Sequence, residues 1–333
     1  MLRVLLIKAL IEPIWARRRL WLLYLILIGL SQLILDQAPA IHYLFMLFAI
    51  GTFTIPHGTA DLFLPAWILN PPWEKRINYW IPAMAIVIFV AGGTWLIFEF
   101  SIDFGVALFS ALVMWHWGSV DAVSIYPQRA LAWVIASIGR GMLIVSAPMY
   151  FRPLEVQDFI LNLTGAEESA ILNTLYWLSK YILISGIALE LLATAVNKFI
   201  EGRGFLKRAA GHLAETVFLV LMFKWVNLQL SVTFYFLVLH SIRHMSRVSA
   251  YIPEARNQLL DVGGLFRNLP DYFHKTNFLN IVFIGLLVAW FMWNIITGST
   301  LMEATFATLG PLLLLMIPHA LVGLLADLNP RQL

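Results

Sequence analysis

The sequence contains no cysteine. That excludes disulfides, thiolate-held metal ions, cysteine-held iron–sulfur clusters and covalently attached haem. Any bound metal must be held by His, Asp or Glu. Charge is also scarce. Asp, Glu, Lys and Arg make up 12% of the 333 residues, against about 25% in a soluble domain. What fills the gap is apolar: 60% of residues are hydrophobic and the mean hydropathy is +0.81. No polar stretch is long enough for a separate soluble domain, and there is no repeat or low-complexity tract. The net charge of +3 is modest, so no nucleic-acid partner is expected. The chain reads as one integral membrane domain over residues 1–333.

A bilayer core is crossed by about 20 residues of helix. Ten apolar stretches meet that need, near 20–36, 41–63, 78–98, 104–124, 130–151, 171–196, 211–227, 229–249, 277–297 and 302–326. The expected fold is therefore all-α, a polytopic bundle of about ten transmembrane helices over residues 20–327. Residues 1–19 read as a basic amphipathic segment. The stretch "RRRLWLLYLILIGLSQLILDQAPA" has features of a secretory signal, but its apolar part is long for one, and it is read as an uncleaved first helix. The seventh and eighth stretches are nearly continuous and break around "KWVNLQL". With the N-terminus inside, eighteen of the 22 basic residues fall on the cytoplasmic side, as the positive-inside rule requires. Both termini are then cytoplasmic and the location is the cell (inner) membrane. The loop 250–276 is basic and aromatic and is expected on the membrane surface. The acidic stretch "RPLEVQDFILNLTGAEESA" is expected to form a short outer cap.

Five of the eight histidines fall on this map at one depth. His57 lies in "IPHGTADLFLP", His116 in "MWHWGSVDA", His240 and His244 in "VLHSIRHMSRV", and His319 in "MIPHALVGLLADL". At 1.5 Å per residue they lie roughly 17–27 Å from the outer ends of their helices. Residues at i and i+4 share a helical face, so His240 and His244 can grip one ion together. Ionisable groups inside a membrane usually face a partner or a cavity, and helix-bundle cores hold metals in this way. All-nitrogen coordination suits Fe, Cu, Zn or Ni. The plainer alternative for each single histidine is a hydrogen-bonded packing role. His42, His212 and His274 are read as interfacial or surface residues. Asp61, Asp121 and Asp327 follow His57, His116 and His319 by four, five and eight residues. They could receive the second N–H of a ligand imidazole, or could be helix-end residues. Trp115, Trp117, Phe234, Tyr235, Phe236 and Met316 lie near the histidines in sequence, and none is assigned to a substrate wall.

"PHGTAD", "WHWGSVD", "HSIRH" and "PHALVGLLAD", in that order, resemble the Brp/Blh family of bacterial and archaeal membrane proteins, the β-carotene 15,15′-dioxygenases. The resemblance covers about residues 50–327. It implies an Fe(2+) enzyme that cleaves the central double bond of β-carotene with O2 as co-substrate and gives two retinal molecules. It implies His57, His116, His240 and His244 as the metal ligands, with His319 as a fifth ligand or a supporting residue. It further implies a carotenoid taken from the bilayer and hand-over of retinal to a rhodopsin-type protein. The chain departs from the family in carrying a whole helix before the "PHG" helix.

Three other readings compete. A membrane desaturase or hydroxylase would carry dense histidine boxes in cytoplasmic loops, and here only "HSIRH" is dense. A bis-histidine haem carrier is poorly served by two histidines on one helical face. A metal or lipid transporter would favour broken helices near the midplane, and only the break near Lys224–Gln229 resembles one.

Overall fold

A computed structural model describes residues 20–33, 39–69, 74, 77–123, 126, 130–164, 169–201, 205–252 and 269–329. Among these the fold is entirely helical, with no strand. The expected amphipathic segment 1–19 and most of the loop 250–276 lie outside the described residues.

The helices are α1 (Leu20–Leu33), α2 (Pro39–Ala49, continuing through a π-helical section Ile50–Thr54, an α section Ile55–Thr59 and a 3₁₀ turn Ala60–Leu62), α3 (Leu64–Leu69), α4 (Ile77–Phe100), α5 (Ile102–Ala122), α6 (Leu131–Phe151), α7 (Pro153–Thr164), α8 (Ala170–Glu201), α9 (Phe205–Trp225), α10 (Leu228–Val232, continuing through a π section Thr233–His240 and an α section Ser241–Ser249), α11 (Leu269–Ile296) and α12 (Leu301–Leu328). A helix stands at each of the ten expected positions. Six are long and apolar enough to cross a membrane, at Ala40–Leu62, Asn78–Phe100, Leu131–Phe151, Ala170–Asn197, Pro270–Ile296 and Leu301–Leu328. The chain is a multi-pass membrane protein, and among the described residues six of the ten expected spans meet the test of length and composition. The other four depart for visible reasons. The α1 helix is short, and α5, α9 and α10 carry buried charged and polar side chains that face protein.

Local sequence sets the boundaries. Asn227 caps α10 by accepting from the Gln229 N–H at 2.9 Å, which places the expected break at Val226–Asn227. At the head of α12, Thr300 and Glu303 form a reciprocal capping box just after Gly298, whose φ of 101° suits glycine. The acidic stretch expected to form a short cap contains α7.

Glycines let the helices approach. A Cβ on Gly118 would collide with the Ser137 carbonyl, and one on Gly141 with the Met114 carbonyl, so α5 and α6 touch backbone to backbone. Gly139 and Gly186 make the same kind of contact between α6 and α8, where a Cβ would lie 2.9 and 2.8 Å from the opposing carbonyl oxygens. Small residues at such crossings are the usual device of membrane bundles, where water supplies no force between helices. Apolar side chains of α4 and α11, among them Phe89, Ile86, Phe278 and Leu286, point outward.

The inverse of this surface is the section Ser241–Ser249 of α10. All nine of its residues are buried, although they include Arg243, His244 and Arg247. Arg243 and Arg247 are therefore core residues and not the inner-side loop charges that the topology count made them. His212 and His42 are likewise buried and not interfacial.

Candidate metal centre

Each site histidine is delivered by a different local device. Pro56 precedes His57, lacks an N–H and lies two residues after the π section Ile50–Thr54. His240 is the last residue of the π section Thr233–His240, and His244 follows one α-helical turn later. Such π insertions rotate the residues that follow relative to an unbroken α-helix and are frequent at functional sites. His116 is held against α12, where the Nδ1 edge of its ring lies so close to Gly323 that a Cβ there would be 2.5 Å away. His319 follows Pro318 inside α12.

The five rings converge. His116 and His319 have centroids 4.4 Å apart, His57 and His319 4.6 Å, His244 and His319 4.8 Å, and His116 and His240 5.0 Å. None is more than 6% exposed. Two trios, His57–His240–His319 and His116–His244–His319, each bring one ring nitrogen per residue within 4.8 Å of the others. His319 belongs to both.

Hydrogen bonding fixes which nitrogens face inward. His57 donates from Nδ1 to the Thr54 carbonyl at 2.7 Å, with Ser241 Oγ 3.3 Å from the same atom. His319 donates from Nδ1 to Asp61 Oδ2 at 2.5 Å. With both Nδ1 atoms committed as donors, both Nε2 atoms carry lone pairs, and these two atoms face each other 3.1 Å apart. Two facing lone pairs repel unless a cation lies beside both. With metal–nitrogen bonds of about 2.1 Å, two adjacent ligands stand ~3 Å apart, which matches. Both ring nitrogens of His116 and of His240, and Nδ1 of His244, are buried without a hydrogen-bond partner. Buried polar atoms are rarely left so, and coordination would satisfy one nitrogen of each ring. The donor set therefore fits a metal ion.

The three aspartates have separate fates. Asp61 meets a site histidine, but the one on α12 and not its own neighbour His57. Asp121 does not reach His116. It lies 2.8 Å from Arg243 and 3.7 Å from Arg140, and accepts from Tyr235 Oη at 2.6 Å. Asp327 pairs with Arg247 and accepts from Trp115 Nε1 at 2.9 Å. A guanidinium buried beside these carboxylates takes them before a neutral imidazole can.

Spacing along the sequence did not reveal this charged layer. Arg243 also donates to Glu215 at 2.8 Å, and Arg140 lies 3.1 Å from Glu190. His212 bridges Arg140 and Glu190. The available signal was the presence of Arg140, Glu190 and Glu215 within apolar stretches, where a charge implies a partner.

Fold and cluster together define a helical, multi-pass membrane protein with a buried histidine centre that could hold a metal ion. Residues 48–327 match the family described as beta-carotene 15,15′-dioxygenase, and the chain belongs to that family. That match agrees with the resemblance read from the four histidine motifs. It begins after α1. No curated protein and no solved structure matches the chain.

Proposed function

We propose that the protein cleaves the 15,15′ double bond of β-carotene, or of a related carotenoid, with O2 to give retinal, at an Fe(2+) ion held by His57, His116, His240, His244 and His319. The observation that carries this reading is the pair of lone-pair nitrogens of His57 and His319, 3.1 Å apart with both Nδ1 atoms tied back. The family supplies the substrate class and the reaction type.

When bound, iron would supply the electrons that let O2 react with a closed-shell alkene. The chain's own residues do the rest. Asp61 and the Thr54 carbonyl hold the Nδ1 protons of His319 and His57, which keeps Nε2 of each available as a ligand. The buried rings exclude water. The overall change cuts one C=C bond and gives each carbon one atom of O2. Two aldehydes result, and no outside reductant or proton is consumed. No general acid or base is needed for this change.

The surroundings follow from the same reading. The carotenoid enters from the bilayer, the termini are cytoplasmic, the short helix α1 and the three polar helices α5, α9 and α10 complete a bundle of about ten segments in the inner membrane, and retinal passes to a rhodopsin-type protein. The test is expression in a β-carotene-accumulating bacterium with His240→Ala as control, with pigments separated by chromatography and metal measured in the purified protein. Retinal formed only by the intact chain, with iron lost in the variant, is the expected result. Unchanged carotene together with no bound metal would overturn the proposal.

A further inference from the structure

The polar neighbours of the cluster gather on particular sides. On α2 and α10 the turn after the histidines carries Asp61 and Arg247, and on α12 Asp327 follows two turns on; these are consumed by pairing with His319 and with each other. The Asp121–Arg243–Glu215 group fills the space toward α5 and α9. The turn before the histidines is apolar instead, with Phe53, Phe236 and Met316. A hydrocarbon substrate cannot displace ion pairs without leaving buried charge uncompensated, so its place is on this apolar side.

One aromatic pair stands there. The Trp117 ring lies 4.0 Å from that of Phe236 at an interplanar angle of 30°, and 6.2 Å from that of His240. Trp117 and Phe236 are only half-buried, whereas His116 and His240, their neighbours in the chain, are almost fully enclosed. The pair therefore stands beside the sealed cluster and keeps part of its surface uncovered. Trp115, two residues away, is different: its indole N–H is spent on Asp327. Tyr235 is fully buried and spent on Asp121.

We infer that Trp117 and Phe236 form the wall on which the conjugated polyene lies, with its reacting bond beside His240. This rests on the function proposed above and names the substrate-binding residues of that site. A flat, extended π-system gains most from a broad aromatic face at van der Waals distance. The indole and phenyl rings are stacked on one another, so the pair offers such a face on the outer side of the stack.

The test uses the full-length protein in lipid nanodiscs and has two readouts. Binding of β-carotene to metal-depleted protein is followed by the shift of its visible absorption band, and metal content is measured after reloading with iron. Trp117→Ala should weaken carotenoid binding about tenfold, the equivalent of ~1.4 kcal/mol, and raise KM to match, while iron content stays that of the parent. Trp117→Phe should restore most of the binding. Phe236→Ala should act in the same direction. A parent that binds carotenoid equally well with and without these substitutions would overturn the wall and leave the dioxygenase reading intact. Loss of iron in Trp117→Ala would overturn it too, because the indole would then be a support for His240. A parent that binds no carotenoid would overturn the function itself and the wall with it.

Discussion

The Arg243 guanidinium lies 2.8 Å from the Asp121 carboxylate and is placed on α10 between two histidines of the cluster, His240 and His244. The helix that supplies two of the five rings is thus tied to α5, which supplies a third, by an ion pair close to all of them in the chain. Glu215 on α9 takes the other side of the same guanidinium at 2.8 Å. Removing it leaves carboxylates short of positive charge in a buried setting, where breaking one partner of a pair costs about 3–5 kcal/mol. Arg243→Met should lower the thermal unfolding temperature in detergent markedly, and Arg243→Lys should recover only part, since lysine lacks the planar fork that serves two acids. An unfolding temperature equal to the parent's would show that this bridge contributes little.

Gly323→Ala separates the metal centre from the fold. Alanine favours a helix over glycine by about 0.8–1.0 kcal/mol, so α12 itself should not weaken. The added methyl would stand 2.5 Å from His116 Nδ1 and drive the ring aside. Iron content should fall severalfold while unfolding temperature and helical circular dichroism hold. Full iron content would mean that His116 can retreat and still coordinate.

Asp61→Asn addresses the tautomer. The amide can still accept from His319, but more weakly and without charge. Partners of this kind typically alter metal affinity by about 10–100-fold. Competition with a calibrated chelator should show a loss in that range, and parental affinity would mean that the carboxylate plays no part in aiming His319.

Gly141→Val probes the α5–α6 contact. Its Cβ would overlap the Met114 carbonyl, a backbone atom that cannot rotate away. The two helices should fail to close, and the variant should be recovered aggregated or not at all. The exposed Gly285, whose Cβ would meet nothing within 4 Å, serves as control. Gly285→Val should accumulate normally.

Much of this was legible in the sequence because it depends on position along one helix. The apolar stretches marked the helices, the spacing of His240 and His244 gave a shared face, and five histidines at a common depth pointed to one centre. The partners of the acids were not legible, because each is chosen across helices. Asp121 is five residues from His116, yet its hydrogen-bond and ion-pair partners are Tyr235, Arg243 and Arg140. Asp61 sits four residues after His57 and serves His319. The π sections also escaped notice. Pro56 marks the end of the first, while nothing in "TFYFLVLH" distinguishes the second from ordinary helix.

The polar core of α10 bears on how the chain is made. An arginine at the centre of a membrane helix costs about 2.5–3.5 kcal/mol at insertion, and Ser241–Ser249 carries two. The acids for Arg243, Asp121 and Glu215, belong to helices synthesised earlier and can be waiting when α10 emerges. The acid for Arg247 is Asp327, on α12, which is synthesised after α10 and α11. Biogenesis therefore cannot finish α10 when it is translated. Its second arginine waits for α12, and α12 also brings His319, so the step that pairs Arg247 is also the step that completes the histidine cluster.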